Sequence, residues 1–195
     1  CRRLNLMINL FFNDRIFDET IQVLRWSGLS VFDFLATITN KINNPRFEEL
    51  VNNFLAETES ELWESQVDLE SFVSNAENMK KFIAGDYGSN LIFKFKALSL
   101  TLYFSDVCDA LIENINAFSE NHGLDENSAL VKLLKQTVEY KRLQVDGIFQ
   151  DQTIREGILT FPIHNLGAFL NKTTPKMLCE TQKRQLVFSQ SEDQI

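Results

Sequence analysis

The stretch GDYGSNLIFKF, residues 85–95, sets two glycines around an acidic residue, then a serine and an asparagine ahead of an apolar run. Two folds compete for it. A glycine-rich loop that cradles a phosphate follows a strand and opens a helix, which would make the chain an α/β protein. A hinge between helices would make it a helical bundle. The phosphate loop of the Walker kind needs Gly, four residues and then Gly-Lys-Ser/Thr, and this stretch lacks the Gly-Lys pair. It also follows a helical pattern rather than a strand, with Lys80 and Lys81 in the last turn, where cations complement the negative end of the helix dipole. Gly85 suits the left-handed position that closes a helix, and Ser89 suits the cap of the next one. The stretch is a connector, and the chain is helical on both sides of it.

Working outward, the spacing predicts a helix from about Asn90 to Asn121. Phe93, Ala97, Leu100 and Phe104 mark one of its faces, with Lys94 and Lys96 as flanks. Aromatics interleaved with lysine suit stacking on nucleotides, but core packing accounts for them better. Gly123 ends this helix, and Asp125 or Asn127 starts another through Leu143. Upstream, Leu4, Ile8, Phe11 and Phe12 give a helix over 2–12. Asp14 caps a second, with Ile16, Phe17, Thr20, Ile21 and Leu24 facing inward and Gly28 just past its end. Ser30 caps VFDFLATITNKI, which Asn43-Asn44-Pro45 stops. From Arg46 a long pattern runs through Phe47, Leu50, Phe54, Leu62, Trp63, Val67 and Leu69, with a break near Thr58–Ser60 or Ser65, and a further helix reaches Ala84.

Past residue 145 the character changes. GIFQDQTIREGILTFPIHNLGAFLNKTTP (147–175) is richer in Gly, Pro and Thr, and QLVFSQ (185–190) is short and β-prone. The expected architecture is mainly α: a multi-helix bundle over 1–144 with a small α+β tail over 145–195 packed on it. The tail is expected to hold one short helix around Asn165–Leu170 and an edge strand, because Pro162 disfavours a central one.

Composition bounds the function. With 44% hydrophobic and 24% charged residues the chain is ordinary for a globular protein, but 17 phenylalanines are not ordinary. Three prolines and 7 glycines suit long helices. A net charge of −8 disfavours nucleic acid, and the acidic residues concentrate between Glu48 and Glu77 as a solvated surface. Cys1, Cys108 and Cys179 are odd in number and far apart, which points to free thiols in a reducing, cytoplasmic setting. No apolar run is long enough to span a membrane, and CRRLNLMINLFF (1–12) is no signal peptide, because Asn5 and Asn9 interrupt it. A chain that begins Cys-Arg-Arg and stops at LVFSQSEDQI is expected to be cut from a longer one.

The candidate chemistry is thin. His122, in ENHG, sits where an imidazole favours a helix end. His164 is expected to be buried in the tail, and a metal there would need Cys179 and further ligands nearby. Glu57, Glu61, Glu64 and Asp68 share one helix face, but a di-iron site also needs two Glu-x-x-His motifs, which are absent. Ser30 and Ser89 have no His-Asp arrangement beside them. No catalytic, cofactor-binding or metal-binding residue is therefore assigned.

Two segments carry a resemblance. LNLMINLFFNDRIFDETIQVLRWSGLSVFDFLATI (4–38) has an apolar helix, the Phe12-Asn13 pair, Phe17 ahead of a second helix, and FDFL. LTFPIHNLGAFL (159–170) followed by QLVFSQSEDQ (185–194) has a short aromatic-rich strand and helix, then a strand ending in an acidic-Gln step. Together they resemble the region downstream of the catalytic barrel in cobalamin-binding-domain radical S-adenosylmethionine (radical SAM) proteins. The resemblance implies an accessory C-terminal domain that packs on and shapes a catalytic core, with the upstream catalytic domains as its partner. It also implies a parent that uses a 4Fe–4S cluster, S-adenosylmethionine and cobalamin. The family's Cys-x-x-x-Cys-x-x-Cys motif does not occur in this chain, so no site residue is carried over. The competing expectation is a free-standing helical module whose phenylalanines line a groove for a partner helix or an apolar ligand. A hydrolase or transferase would need a cleft of titratable groups with shifted pKa values.

Overall fold

The computed structural model describes residues 1–60, 65–84, 91–149, 154–175, 178 and 184–189. The chain is mainly helical. Helix α1 (Arg2–Ile8) runs into a π-helical turn, Asn9–Asn13, along which Asn9 donates to Asn5 and Asn13 donates to Asn9. Asp14 does not cap the second helix as expected. The chain turns at Arg15, whose φ of 57° is left-handed, Lys96 engages the Asp14 carboxylate, and α2 spans Asp18–Trp26. The detour lets Phe17 enter the core ahead of the helix. Gly28, at φ 76°, takes the left-handed position after α2.

Ser30 caps α3 (Val31–Asn40) as its sequence position indicates, its Oγ accepting the Asp33 N–H at 3.1 Å. Pro45 is more than a stop. It is the first residue of α4 (Pro45–Ser60), and Asn44 Oδ1 caps that helix from the Phe47 N–H at 2.9 Å. After α4 come α5 (Gln66–Ser74), capped by Ser65, and α6 (Ala76–Ala84). The expected roles of Gly85 and Ser89 lie outside the described residues, as do Leu62 and Trp63. Val67 and Leu69 belong by spacing to the long apolar pattern that starts at Arg46 and was expected to break near Thr58–Ser60 or Ser65. Both are exposed, because they belong to a separate helix that buries no residue.

The helix expected from Asn90 to Asn121 is two: α7 (Leu91–Thr101) and α8 (Phe104–Asn121). The reason is geometric. At 100° per residue, a straight helix would aim Phe95 and Phe104 to opposite sides. Both are core residues, and the break at Leu102–Tyr103 allows it. The Leu102 and Tyr103 N–H groups both turn in on the Leu98 carbonyl, Arg46 covers the Tyr103 ring at 5.3 Å, and Phe104 stacks on Phe17 at 6.1 Å. The face expected to be buried is corrected with it. Leu91, Phe95 and Ser99 point inward, whereas Phe93 and Ala97 face out.

Gly123, at φ 63°, follows α8. The cap of α9 (Ala129–Phe149) is Ser128 rather than Asp125 or Asn127. Its Oγ accepts the Val131 N–H, while Asp125 shapes the preceding turn by accepting from Asn127. The helix also runs beyond Leu143. A 3₁₀ turn, Ile163–Asn165, leads into α10 (Leu166–Lys172).

At the centre α8 packs on α9, α3 and α7, while α1 packs on α3 and α4. Several phenylalanines of this interior meet edge-on or tilted: Phe34 on Phe118 at 5.3 Å, Phe54 on Phe95 at 5.4 Å, Phe11 on Phe17 at 5.5 Å. Among the described residues, no helix is long and apolar enough to cross a membrane.

Candidate functional site

Buried polar groups gather where α2 meets α9. Thr20 and Thr137, both shielded from solvent, bring their hydroxyls to 2.7 Å. Thr137 donates its hydrogen to the Leu134 carbonyl at 2.7 Å, so Thr20 is the donor between the two. One turn on, Lys141 holds Glu19 at 3.1 Å and Gln144 at 2.8 Å. Tyr140 lies beside them. Burial, and then the Glu19 carboxylate, raise its phenol above the ordinary tyrosine value, so it stays protonated at neutral pH. The group joins two helices. Lys141 and Glu19 pair across the helix–helix contact.

A second set joins α8 to α9. Arg142 donates to Asp109 at 2.5 Å and to Ser105 at 3.0 Å, with Glu139 at 3.5 Å. Burial alone would lower the guanidinium pKa, but the hydrogen bond to Asp109 and the surrounding negative charge raise it overall. On the other side of α8, Asn114 Nδ2 donates to the Phe34 carbonyl at 3.1 Å, while its Oδ1 finds no protein partner.

The residues weighed from sequence are not brought together. His122 is the C-cap of α8. Its Nδ1 lies 2.9 Å from the Phe118 carbonyl, an acceptor, so this nitrogen carries the hydrogen, and its ring lies 4.0 Å from that of Phe118. His164 is exposed, contrary to expectation, because the 3₁₀ turn buries its neighbour Ile163 instead. It borders an open depression of about 250 Å³ with Pro162, Asn165, Ala168, Phe169 and Lys172. Cys1 is exposed and Cys108 is buried within α8, and neither is in a disulfide. Cys179 lies outside the described residues.

The carboxylate stripe is not one face of one helix. Glu57 ends on α4, where its oxygens take the Lys94 ammonium at 2.6 and 2.7 Å. Asp68 opens α5, with the Ser65 hydroxyl at 2.6 Å. Glu61 and Glu64 lie outside the described residues, as does Ser89. Among the described residues, no three His, Cys, Asp or Glu side chains form a set able to hold a metal ion.

What remains is a surface. Phe93 is 71% exposed and Leu102 68%, on and just past a helix whose opposite face is already in the core. The lysines beside them are taken, Lys94 by Glu57 and Lys96 by Asp14. A helix that is apolar all round is normally covered on both sides. Comparison with protein-family models, with curated proteins and with solved structures finds no match to this chain.

Proposed function

We propose that this chain is an accessory helical domain that packs against a partner protein, and that the partner is the catalytic core of a radical SAM enzyme. The outer face of α7 carries the first half: Phe93, 71% exposed, lies on the helix side the core does not use, and Leu102, 68% exposed, follows the helix end. Covering such area contributes roughly 25 cal/mol per Å². The second half rests on the two family-like segments, residues 4–38 and 159–194. In this reading the 4Fe–4S cluster, S-adenosylmethionine and cobalamin belong to the partner. The same reading includes a small tail after α9, with β1 (Ile154–Leu159) antiparallel to β2 (Arg184–Ser189), Ile154 opposite Ser189 and Leu159 opposite Arg184. Cys1 and Cys108, neither in a disulfide, suit a cytoplasmic setting.

Co-purification with the polypeptide encoded immediately upstream tests the reading. The expected result is a stoichiometric complex with an iron–sulfur absorption signature, weakened about tenfold or more by Phe93→Asp. Stoichiometric cluster or cobalamin bound by the chain alone, after anaerobic reconstitution, would overturn it. A free-standing interaction module is the second reading, favoured by the apolar residues that α5 holds in solvent.

A further inference from the structure

The charge of this chain is segregated. Between Phe47 and Met79 every titratable side chain is a carboxylate, eight Glu and Asp68, so the interval carries −9 against −8 for the whole chain. Helix α5 sits within it and packs mainly on α6, burying none of its own residues. Around the helix at 100° per residue, Leu69 and Val73 fall on one face, with Asp68 on one side and Glu70 on the other. Leu69 is 41% exposed, Val73 48%, and Val67 beyond Glu70 is 72% exposed. The flanking carboxylates take neutral donors, Asp68 from the Ser65 hydroxyl and Glu70 from the Gln66 amide at 2.8 Å. Among the described residues neither meets a cation.

An apolar stripe flanked by a carboxylate on each side has a complement: an apolar stripe flanked by ammonium or guanidinium groups. We propose that the Leu69–Val73 face of α5 docks a basic amphipathic helix of a partner protein, whose apolar side chains cover Leu69 and Val73 and whose Lys or Arg side chains reach Asp68 and Glu70. A second copy of this chain would oppose carboxylate to carboxylate, and an anionic membrane would be repelled for the same reason. An extended segment would need a sheet edge, which α5 does not offer. The proposal concerns a different surface from α7 and stands whichever protein α7 meets.

The full chain, isotopically labelled, is titrated at physiological salt with two synthetic helical peptides of the same apolar pattern, one Leu/Lys and one Leu/Glu. The Leu/Lys peptide is expected to shift the amides of residues 66–74, and the Leu/Glu peptide is not. Leu69→Ser with Val73→Ser weakens Leu/Lys binding about tenfold or more. Glu49→Gln with Glu59→Gln, which removes two negative charges from α4, leaves it within about twofold. Shifts scattered over the whole acidic interval, or a Leu69/Val73 variant that binds as wild type, would mean charge attraction without a docking face and overturn the proposal. So would a wild-type dimer in sedimentation that this variant dissociates. Phe93→Asp must leave peptide binding unchanged, and the Leu69/Val73 variant must leave the α7 complex unchanged, so the two readings fail separately.

Discussion

Helices α8 and α5 show two ways for a helix to exist in one chain. In α8, Phe104, Val107, Cys108, Leu111, Ile115 and Phe118 repeat at helical spacing and all are buried, so tertiary packing holds the helix. In α5 nothing is buried, and the helix rests on the Ser65 cap, the Gln66–Glu70 contact one turn apart, and its hairpin with α6. A single sequence therefore yields a core that tolerates little and an arm that tolerates much. The difference lies in where the apolar side chains go, not in how many there are: Val67, Leu69 and Val73 are apolar too.

The sharpest test of that contrast is Phe118→Ala. The ring is fully enclosed against Phe34, and its loss should cost about 3–5 kcal/mol in denaturant unfolding. A cost under about 1 kcal/mol would mean that α8 is not the centre of the core. Ser30 and Ser65 make the same cap on different helices, which turns the comparison into a matched pair. Ser30→Ala should lower global stability by about 1 kcal/mol, whereas Ser65→Ala should speed amide exchange in α5 and leave global unfolding unchanged. Equal global effects would show the arm to be part of the core.

Thr20→Val removes the donor to Thr137 while leaving the Thr137 bond to Leu134, so a loss of about 1 kcal/mol is expected. Tyr140 gives a pH test. Its folded pKa is raised above the ordinary 10.0, so above that value the unfolded chain gives up the proton first. Stability is complete below pH 10.0 and falls as pH rises through the window above it, and Tyr140→Phe should remove that part of the slope in alkaline denaturation. The smallest effect is expected for Leu69→Ser with Val73→Ser, within about 0.5 kcal/mol of wild type, since both side chains stay largely exposed and neither belongs to the core.

The sequence made its local punctuation legible. Ser30, Gly28 and Gly123 act at the helix ends where their chemistry puts them, and Thr20 faces inward as its spacing indicates. What it hid depends on distance along the chain. Thr20 meets a residue 117 positions away. The bend at Leu102–Tyr103 has no Gly or Pro to announce it and arises because Phe95 and Phe104 must share one interior. Assuming one straight helix there carried Phe93 inward with Phe104, which is why the face of α7 came out reversed. Arg15 is hidden for a similar reason, since only the placement of Phe17 requires its left-handed turn. Of the candidate surface, the acidic concentration was visible in sequence, while the solvent-facing apolar residues needed the fold.

The indole of Trp26 donates to the Leu170 carbonyl at 3.1 Å, and Gln136 Oε1 accepts from the Thr160 and Phe161 N–H groups at 2.9 and 3.1 Å. The first of these contacts gives the molecule an optical reporter of its own. In a Trp63→Phe background, emission from Trp26 should move to longer wavelength when α10 lifts from α2, and Gln136→Ala should bring that change to lower denaturant than the loss of helical signal. A colour change would then time the release of the last helix separately from the collapse of the rest.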